Sequence, residues 1–159
     1  MKIRVGFGYD VHRLEPGYQF WLGGIKVEHS KGSVGHSDGD VLIHAICDAL
    51  LGAAGLRDIG VYFPDNDPAL KGIDSKILLR KTVEILTEKG FSIGNIDSTI
   101  CLEKPKIKAN IPLMQQTLAD VMGIDTSDIS IKATTTETLG FTGREEGVSA
   151  YAVVLVEKS

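Results

Sequence analysis

The sequence predicts an α/β (α+β) sandwich: one domain over residues 1–159, with a single mixed β-sheet covered by helices on one face. Three observations lead there. VLIHAICDALLGAAG, from Val41 to Gly55, has helical length and is apolar almost all round, as a helix buried on most of its surface must be. A helix-like stretch between Pro112 and Gly123 lies between two strand-like stretches. The closing segment VSAYAVVLVE is apolar on both of its alternating faces from Val148 to Val156.

The elements follow in order. IRVGFGYDV (residues 3–11) and QFWLGGIKVE (19–28) are short, apolar-rich strands punctuated by glycine, and Gly23-Gly24 reads as a hairpin turn. KGSVGHSDGD, from Lys31 to Asp40, reads as a polar, Gly-rich loop in which Ser37, Asp38 and Asp40 can cap the helix that follows. Turn residues from Arg57 to Gly72, including FPDNDP, form the next loop. A helix over Ser75–Lys89 places Leu79, Val83 and Leu86 on one face and stops at Gly90. NIDSTICLE (Asn95–Glu103) is a strand. Pro112 starts a helix lined by Leu113, Thr117, Leu118, Val121 and Met122. DISIKATT alternates, with Ile129, Ile131 and Ala133 on one side and Ser130, Lys132 and Thr134 on the other. One apolar face of the last strand can meet the helices. The other needs a cover, supplied either by the early hairpin or by another copy in a symmetric homo-oligomer.

Composition narrows the function. A chain 43% hydrophobic and 24% charged, with 18 Gly against 5 Pro, lies in the globular range and excludes disordered, collagenous and coiled-coil classes. Lys plus Arg number 17 against 21 Asp plus Glu, a net charge of −4 with no basic face, so nucleic acid is not an expected partner. No apolar run reaches the ~20 residues that cross a bilayer, and MKIRVGFGYD has no signal-peptide core; a cytoplasmic protein with no membrane partner is expected. Cys47 and Cys101, far apart in apolar stretches, suit buried thiols in a reducing compartment.

Several clusters carry chemistry. Asp10 and His12 are two apart at a strand end, so both side chains reach one face and could share a metal. His44 lies on the apolar helix with Asp40 and Asp48 one turn away on either side, which suits a hydrogen-bonded core residue or an oriented ligand. Two imidazoles and a carboxylate are a donor set of catalytic zinc, leaving a fourth position open. His36 and Ser37 precede the helix, where backbone N–H groups attract phosphate; the competing reading is a cap with a solvent-exposed histidine. KATTTETLGFTGREEG, from Lys132 to Gly147, is the densest polar cluster: its hydroxyls and Glu137 suit phosphate and a hard cation, and Arg144 offers a fork for phosphate, although Thr and Gly also simply make turns.

GYDVHRL, GHSDGDVLIHAICDALLGAAGLRDIG, FPDNDP and KATTTETLGFTGREEG together resemble the 2-C-methyl-D-erythritol 2,4-cyclodiphosphate synthase family, and the resemblance spans the chain. It implies an enzyme of the non-mevalonate isoprenoid pathway that converts 4-diphosphocytidyl-2-C-methyl-D-erythritol 2-phosphate into the cyclic 2,4-diphosphate and CMP. It also implies a homotrimer with active sites between subunits. By motif, Asp10, His12 and His44 match ligands of one Zn²⁺ per subunit, and Asp10, Val11 and His12 lie against substrate. His36 and Thr135 match positions that stabilise the transition state, and Ser37 binds substrate beside His36. Asp58, Ile59 and Gly60, with Phe63, Pro64, Asp65, Asn66 and Asp67, match substrate loops. Leu102, Glu103, Lys104, Pro105, Lys106, Ile107 and Lys108, with Thr134, Thr135, Thr136 and Glu137, match the segments around cytidine and its diphosphate. Glu137 matches the holder of a second cation, Mg²⁺ or Mn²⁺, and Phe141 and Arg144 match further substrate positions. Asn66 stands where Thr or Ser is expected, and Glu103 and Lys104 replace smaller residues. A zinc-dependent phosphohydrolase and a non-catalytic trimeric diphosphate-binding module are the alternative functions; the product separates the first, and metal content the second.

Overall fold

Two glycines decide how the layers meet. In the computed structural model, which describes residues 2–159, Gly6 and Gly8 lie on the inner face of strand β1 (Lys2–Pro16). A Cβ on either would stand 1.9 Å from a carbonyl oxygen, that of Ala49 or of Ala45 respectively. Both alanines belong to helix α1 (Val41–Ala53), which therefore docks backbone against backbone on the strand. Ten of its residues, Val41 through Ala53, are buried.

β1 continues through a five-stranded sheet in the order β4-β1-β7-β5-β6, formed with β4 (Lys31–Val34), β5 (Phe91–Cys101), β6 (Ile129–Thr134) and β7 (Gly147–Lys158). β1 pairs antiparallel with β7 from Lys2↔Lys158 to Arg13↔Gly147, and β5 pairs parallel with β6 from Ile96↔Ile129 to Cys101↔Thr134. The sheet is therefore mixed. Its inner face carries Val148, Ala150, Ala152, Val154 and Val156 of β7 with Ile96 and Ile100 of β5, all buried. Helices α3 (Ser75–Glu88) and α4 (Ile111–Met122) complete the helical layer through Leu79, Leu86, Met114 and Leu118.

The hairpin of β2 (Phe20–Leu22) and β3 (Ile25–Val27) forms a separate two-stranded sheet. Gly23 and Gly24 turn it with φ of +61° and +80°, conformations that favour glycine. The fully buried Asp40 caps α1 at Ile43 N (3.1 Å) and also accepts from Gly23 N (3.0 Å) and Gly24 N (2.7 Å), tying helix start to hairpin. The hairpin lies on the helical side, with Gly23 against Met114. It does not cover the outer sheet face, where Val5 is 67% and Phe7 61% exposed beside Val153.

The structure departs from expectation in places. β1 runs on to Pro16, and β5 begins at Phe91 instead of Asn95. KGSV, read as loop, is strand β4 pairing with β1; a Cβ on Gly32 would lie 2.2 Å from the Tyr18 carbonyl oxygen, so this glycine serves close packing. Ala133 is exposed, unlike Ile129 and Ile131 with which it alternates. Four-residue helices α2 (Ile59–Tyr62) and α5 (Gly140–Gly143) stand in segments read as turns. Among the described residues no helix is long and apolar enough to cross a membrane.

Candidate metal centre and substrate cavity

Beyond Gly6 and Gly8, the inward positions of β1 are Asp10 and His12, and docking of α1 sets His44 over both. Asp10 Oδ2 lies 2.9 Å from His12 Nε2 and 3.0 Å from His44 Nδ1, and the two nitrogens are 3.1 Å apart. A tetrahedral zinc with bonds of roughly 2.0–2.1 Å holds its donor atoms about 3.3 Å apart. The triangle needs to open only slightly to seat such an ion. His12 Nδ1 is 2.9 Å from the Val34 carbonyl, which only accepts; that nitrogen therefore carries a proton, and Nε2 is the atom that would ligate an ion at the centre. His44 Nε2 faces two hydroxyls, Ser75 Oγ at 2.9 Å and Ser37 Oγ at 3.1 Å.

Electrostatics match this closeness. Burial pushes the Asp10 pKa up, but hydrogen bonds and charge from His12 and His44 outweigh it and hold the carboxyl well below the usual range. Burial opposes charge on His12, yet its bonds to Asp10 and the Val34 carbonyl prevail and raise its pKa. The flanking carboxylates expected beside His44 do other work. Asp40 is the cap described above. Asp48 Oδ1 accepts from Ile59 N at 2.7 Å, fastening α2 to α1.

The three residues line a cavity of about 590 Å³, so an ion held by them faces open space. Of the residues singled out in the sequence, Asp10, His12, His36, Ser37, His44, Asp58, Ile59, Gly60, Phe63, Pro64, Asp65 and Asn66 share this lining. Val11 points to the outer face and is 43% exposed. Asp67 does not line the cavity; its side chain caps the following turn at Ala69 N (2.9 Å) and its carbonyl accepts from His36 Nε2 at 2.8 Å. Leu70, Ile73 and Leu78 also line the wall and were missed, because each reads as an ordinary apolar position.

The remaining residues gather elsewhere. Leu102, Pro105, Lys106, Ile107, Lys108, Thr134 and Thr135 line a cavity of about 180 Å³ that shares no residue with the first. Glu103 turns aside: Oε1 accepts from Thr138 N at 3.2 Å, and Oε2 is buried without a partner among the described residues. Lys104 is exposed. Thr134 and Thr136 donate their hydroxyls to the carbonyls of Thr135 and Leu139. Thr135 Oγ1 instead accepts from Glu137 N at 3.2 Å. Glu137 is exposed, with φ +53°. Phe141 is partly exposed near Gly147. Arg144 spends its fork on Glu146, at 3.1 and 3.2 Å, and within the chain it does not face the first cavity. Both cysteines are free thiols; Cys47 is fully buried, which pushes its pKa up to about 12.

A family model described as YgbB family matches residues 3–157. The chain is 70% identical over 158 residues to 2-C-methyl-D-erythritol 2,4-cyclodiphosphate synthase of Bacteroides thetaiotaomicron, covering 99% of each. Among solved structures, the CDP complex of IspF from Plasmodium falciparum is similar at a TM-score of 0.86 and 34% identity, over 99% of this chain and 97% of that one. The bifunctional IspDF from Campylobacter jejuni is similar at a TM-score of 0.95 and 40% identity; 99% of this chain corresponds to 43% of that one.

Proposed function

The chain belongs to the YgbB family, and from that premise we propose that it cyclises 4-diphosphocytidyl-2-C-methyl-D-erythritol 2-phosphate to the 2,4-cyclodiphosphate with release of CMP, in the non-mevalonate route to isoprenoids. The observation that carries the reading is the convergence of Asp10, His12 and His44 on one wall of the large cavity, in a chain 70% identical to a synthase of that name.

The reaction is an intramolecular phosphoryl transfer. The 2-phosphate oxygen forms a bond to the β-phosphorus as the bond to CMP breaks. A phosphate monoester has a second pKa of about 6, so the nucleophile is already an anion near neutral pH and no general base is assigned. The obstacle is repulsion between anions and the entropy of ring closure. Holding both ends of the substrate in a near-attack arrangement supplies up to roughly 7–11 kcal/mol. Asp10, His12 and His44 would hold Zn²⁺, and Glu137 a second Mg²⁺ or Mn²⁺; such ions neutralise phosphate charge and align its oxygens.

His36 and Thr135 act as fixed donors toward developing charge. His36 Nε2 donates to the Asp67 carbonyl at 2.8 Å, so a hydrogen bond to phosphate would be made at the other ring nitrogen, Nδ1. Thr135 keeps its hydroxyl proton for phosphate, since its oxygen only accepts from Glu137 N. Ser37 and the 58–66 loops hold the erythritol end, and the 102–108 segment holds cytidine by backbone groups, a reading that fits Glu103 and Lys104 pointing elsewhere.

Two separate cavities and the bare apolar sheet face support a homotrimer in which one chain's metal cavity meets its neighbour's cytidine cavity. Two free thiols fit a cytoplasmic setting. Incubation with the CDP-linked substrate, with and without chelator, tests the reaction by mass spectrometry. Metal-dependent CMP and cyclic diphosphate are expected; release of inorganic phosphate would favour a phosphohydrolase.

A further inference from the structure

We propose that Asp38 and Ser75 are positioning residues for the metal centre: the carboxylate sets the direction of the Ser75 hydroxyl, and the hydroxyl sets which nitrogen of His44 keeps its proton. The inference rests on the metal reading above.

Ser75 is fully buried at the start of α3. Its Oγ lies 2.5 Å from Asp38 Oδ1 and 2.9 Å from His44 Nε2. A hydroxyl has one proton to donate, and an ionised carboxylate can only accept. The Ser75 proton therefore goes to Asp38, and its lone pair is left to accept from His44 Nε2–H. That fixes a proton on Nε2 and makes Nδ1, which faces Asp10 and His12 at 3.0 and 3.1 Å, the nitrogen that would ligate. Without Asp38 the serine could turn its proton toward the ring, and the wrong nitrogen would face the ion.

The carboxylate is itself held. Asp38 Oδ2 accepts from Ser75 N at 2.9 Å, Oδ1 also accepts from Asp40 N at 3.1 Å, and Asp38 N donates to the Ile73 carbonyl at 3.0 Å. Ser37 Oγ, 3.1 Å from the same ring nitrogen and 3.5 Å from Ser75 Oγ, accepts from Gly39 N and has no carboxylate partner among the described residues, so its own proton is not directed. The chain Asp38–Ser75–His44 thus joins the loop before α1 and the start of α3 to a ligand on α1. Carboxylate groups behind ligating histidines commonly govern metal affinity.

The test uses Ser75→Ala and Asp38→Asn in the full chain. Ser75→Ala removes the hydroxyl but keeps the backbone bond from residue 75 to Asp38, so it decides the matter if Asp38→Asn fails to fold. Zinc affinity is measured by competition with a chromophoric chelator, and the His44 ring N–H is followed by NMR of protein labelled with ¹⁵N-histidine. Both variants should bind zinc about 10- to 100-fold more weakly, and a His44 Nε2–H signal protected in the parent should exchange with water. Parent-like zinc affinity overturns the proposal, as does weakened affinity with the protected signal intact, which would mark a merely structural role. If the parent itself takes up no stoichiometric zinc, the metal reading fails, while the ring signal in zinc-free protein still reports on the hydrogen-bond chain.

Discussion

Gly8 of β1 and Ala45 of α1 meet through their backbones: a Cβ on Gly8 would lie 1.9 Å from the Ala45 carbonyl oxygen. The neighbour of Ala45 is His44, so the clearance at Gly8 also sets the distance from His44 to Asp10. Gly8→Ala should push the helix outward, destabilise the fold by about 1–3 kcal/mol, and weaken zinc binding in parallel. Thermal melting and zinc titration check this. A variant matching the parent in both would show that the helix does not need so close a seat.

Removing a ligand should separate metal from fold. His44→Ala leaves one imidazole and one carboxylate, and zinc affinity should fall by more than about 100-fold, beyond the loss typical of an outer partner. Circular dichroism should stay native, because His44 is only part-buried and α1 is held by its apolar residues. Metal analysis after gel filtration reads the first outcome and activity follows it.

Acidity gives an independent handle. The Asp10 pKa is depressed below 3.8 and that of His12 raised above 6.5, so in zinc-free protein the charged pair contributes stability between those ordinary values. The Asp10 part is lost as pH falls through its depressed value, and the His12 part as pH rises through its raised one. Zinc needs the His12 lone pair, so loading releases a proton and affinity should climb with pH until His12 is neutral. Calorimetry in two buffers of different ionisation enthalpy reads the proton release. Affinity flat across this range would contradict the assignment.

Asp48 holds part of the cavity lining, through Ile59 N, and belongs to no metal-binding group with Asp10, His12 and His44. Asp48→Ala should free Ile59 N and loosen the 58–62 segment, at a cost of about 1 kcal/mol, roughly a fivefold rise in KM. Zinc affinity should stay at the parent value. Steady-state kinetics beside a zinc titration decide it; a lost metal would make Asp48 part of the metal centre instead.

The pattern of residues already contained much of this. Period-two spacing placed Asp10 and His12 on one face, and the all-round apolar stretch marked α1. The Thr cluster stood out by composition. What stayed hidden depends on contacts between distant segments. Gly6, Gly8 and Gly32 read as punctuation, because a close backbone approach and a turn select the same residue. Local spacing nominated Asp40 and Asp48 as partners of His44, whereas Ser75, 31 positions away, fills that place. No periodicity records such a pairing. The division of site residues between two cavities was likewise invisible, since both sets lie in similar polar loops.

That division has a consequence for mixtures. If each working pocket combines halves from neighbouring chains, a chain crippled at His36 and another crippled at Thr135 spoil opposite halves. Co-refolded in equal amounts, two inactive proteins should regenerate about a quarter of the pockets intact by random assortment. Such rescue between defective partners would demonstrate sharing with no view of the assembly, and its absence would mean that each chain works alone.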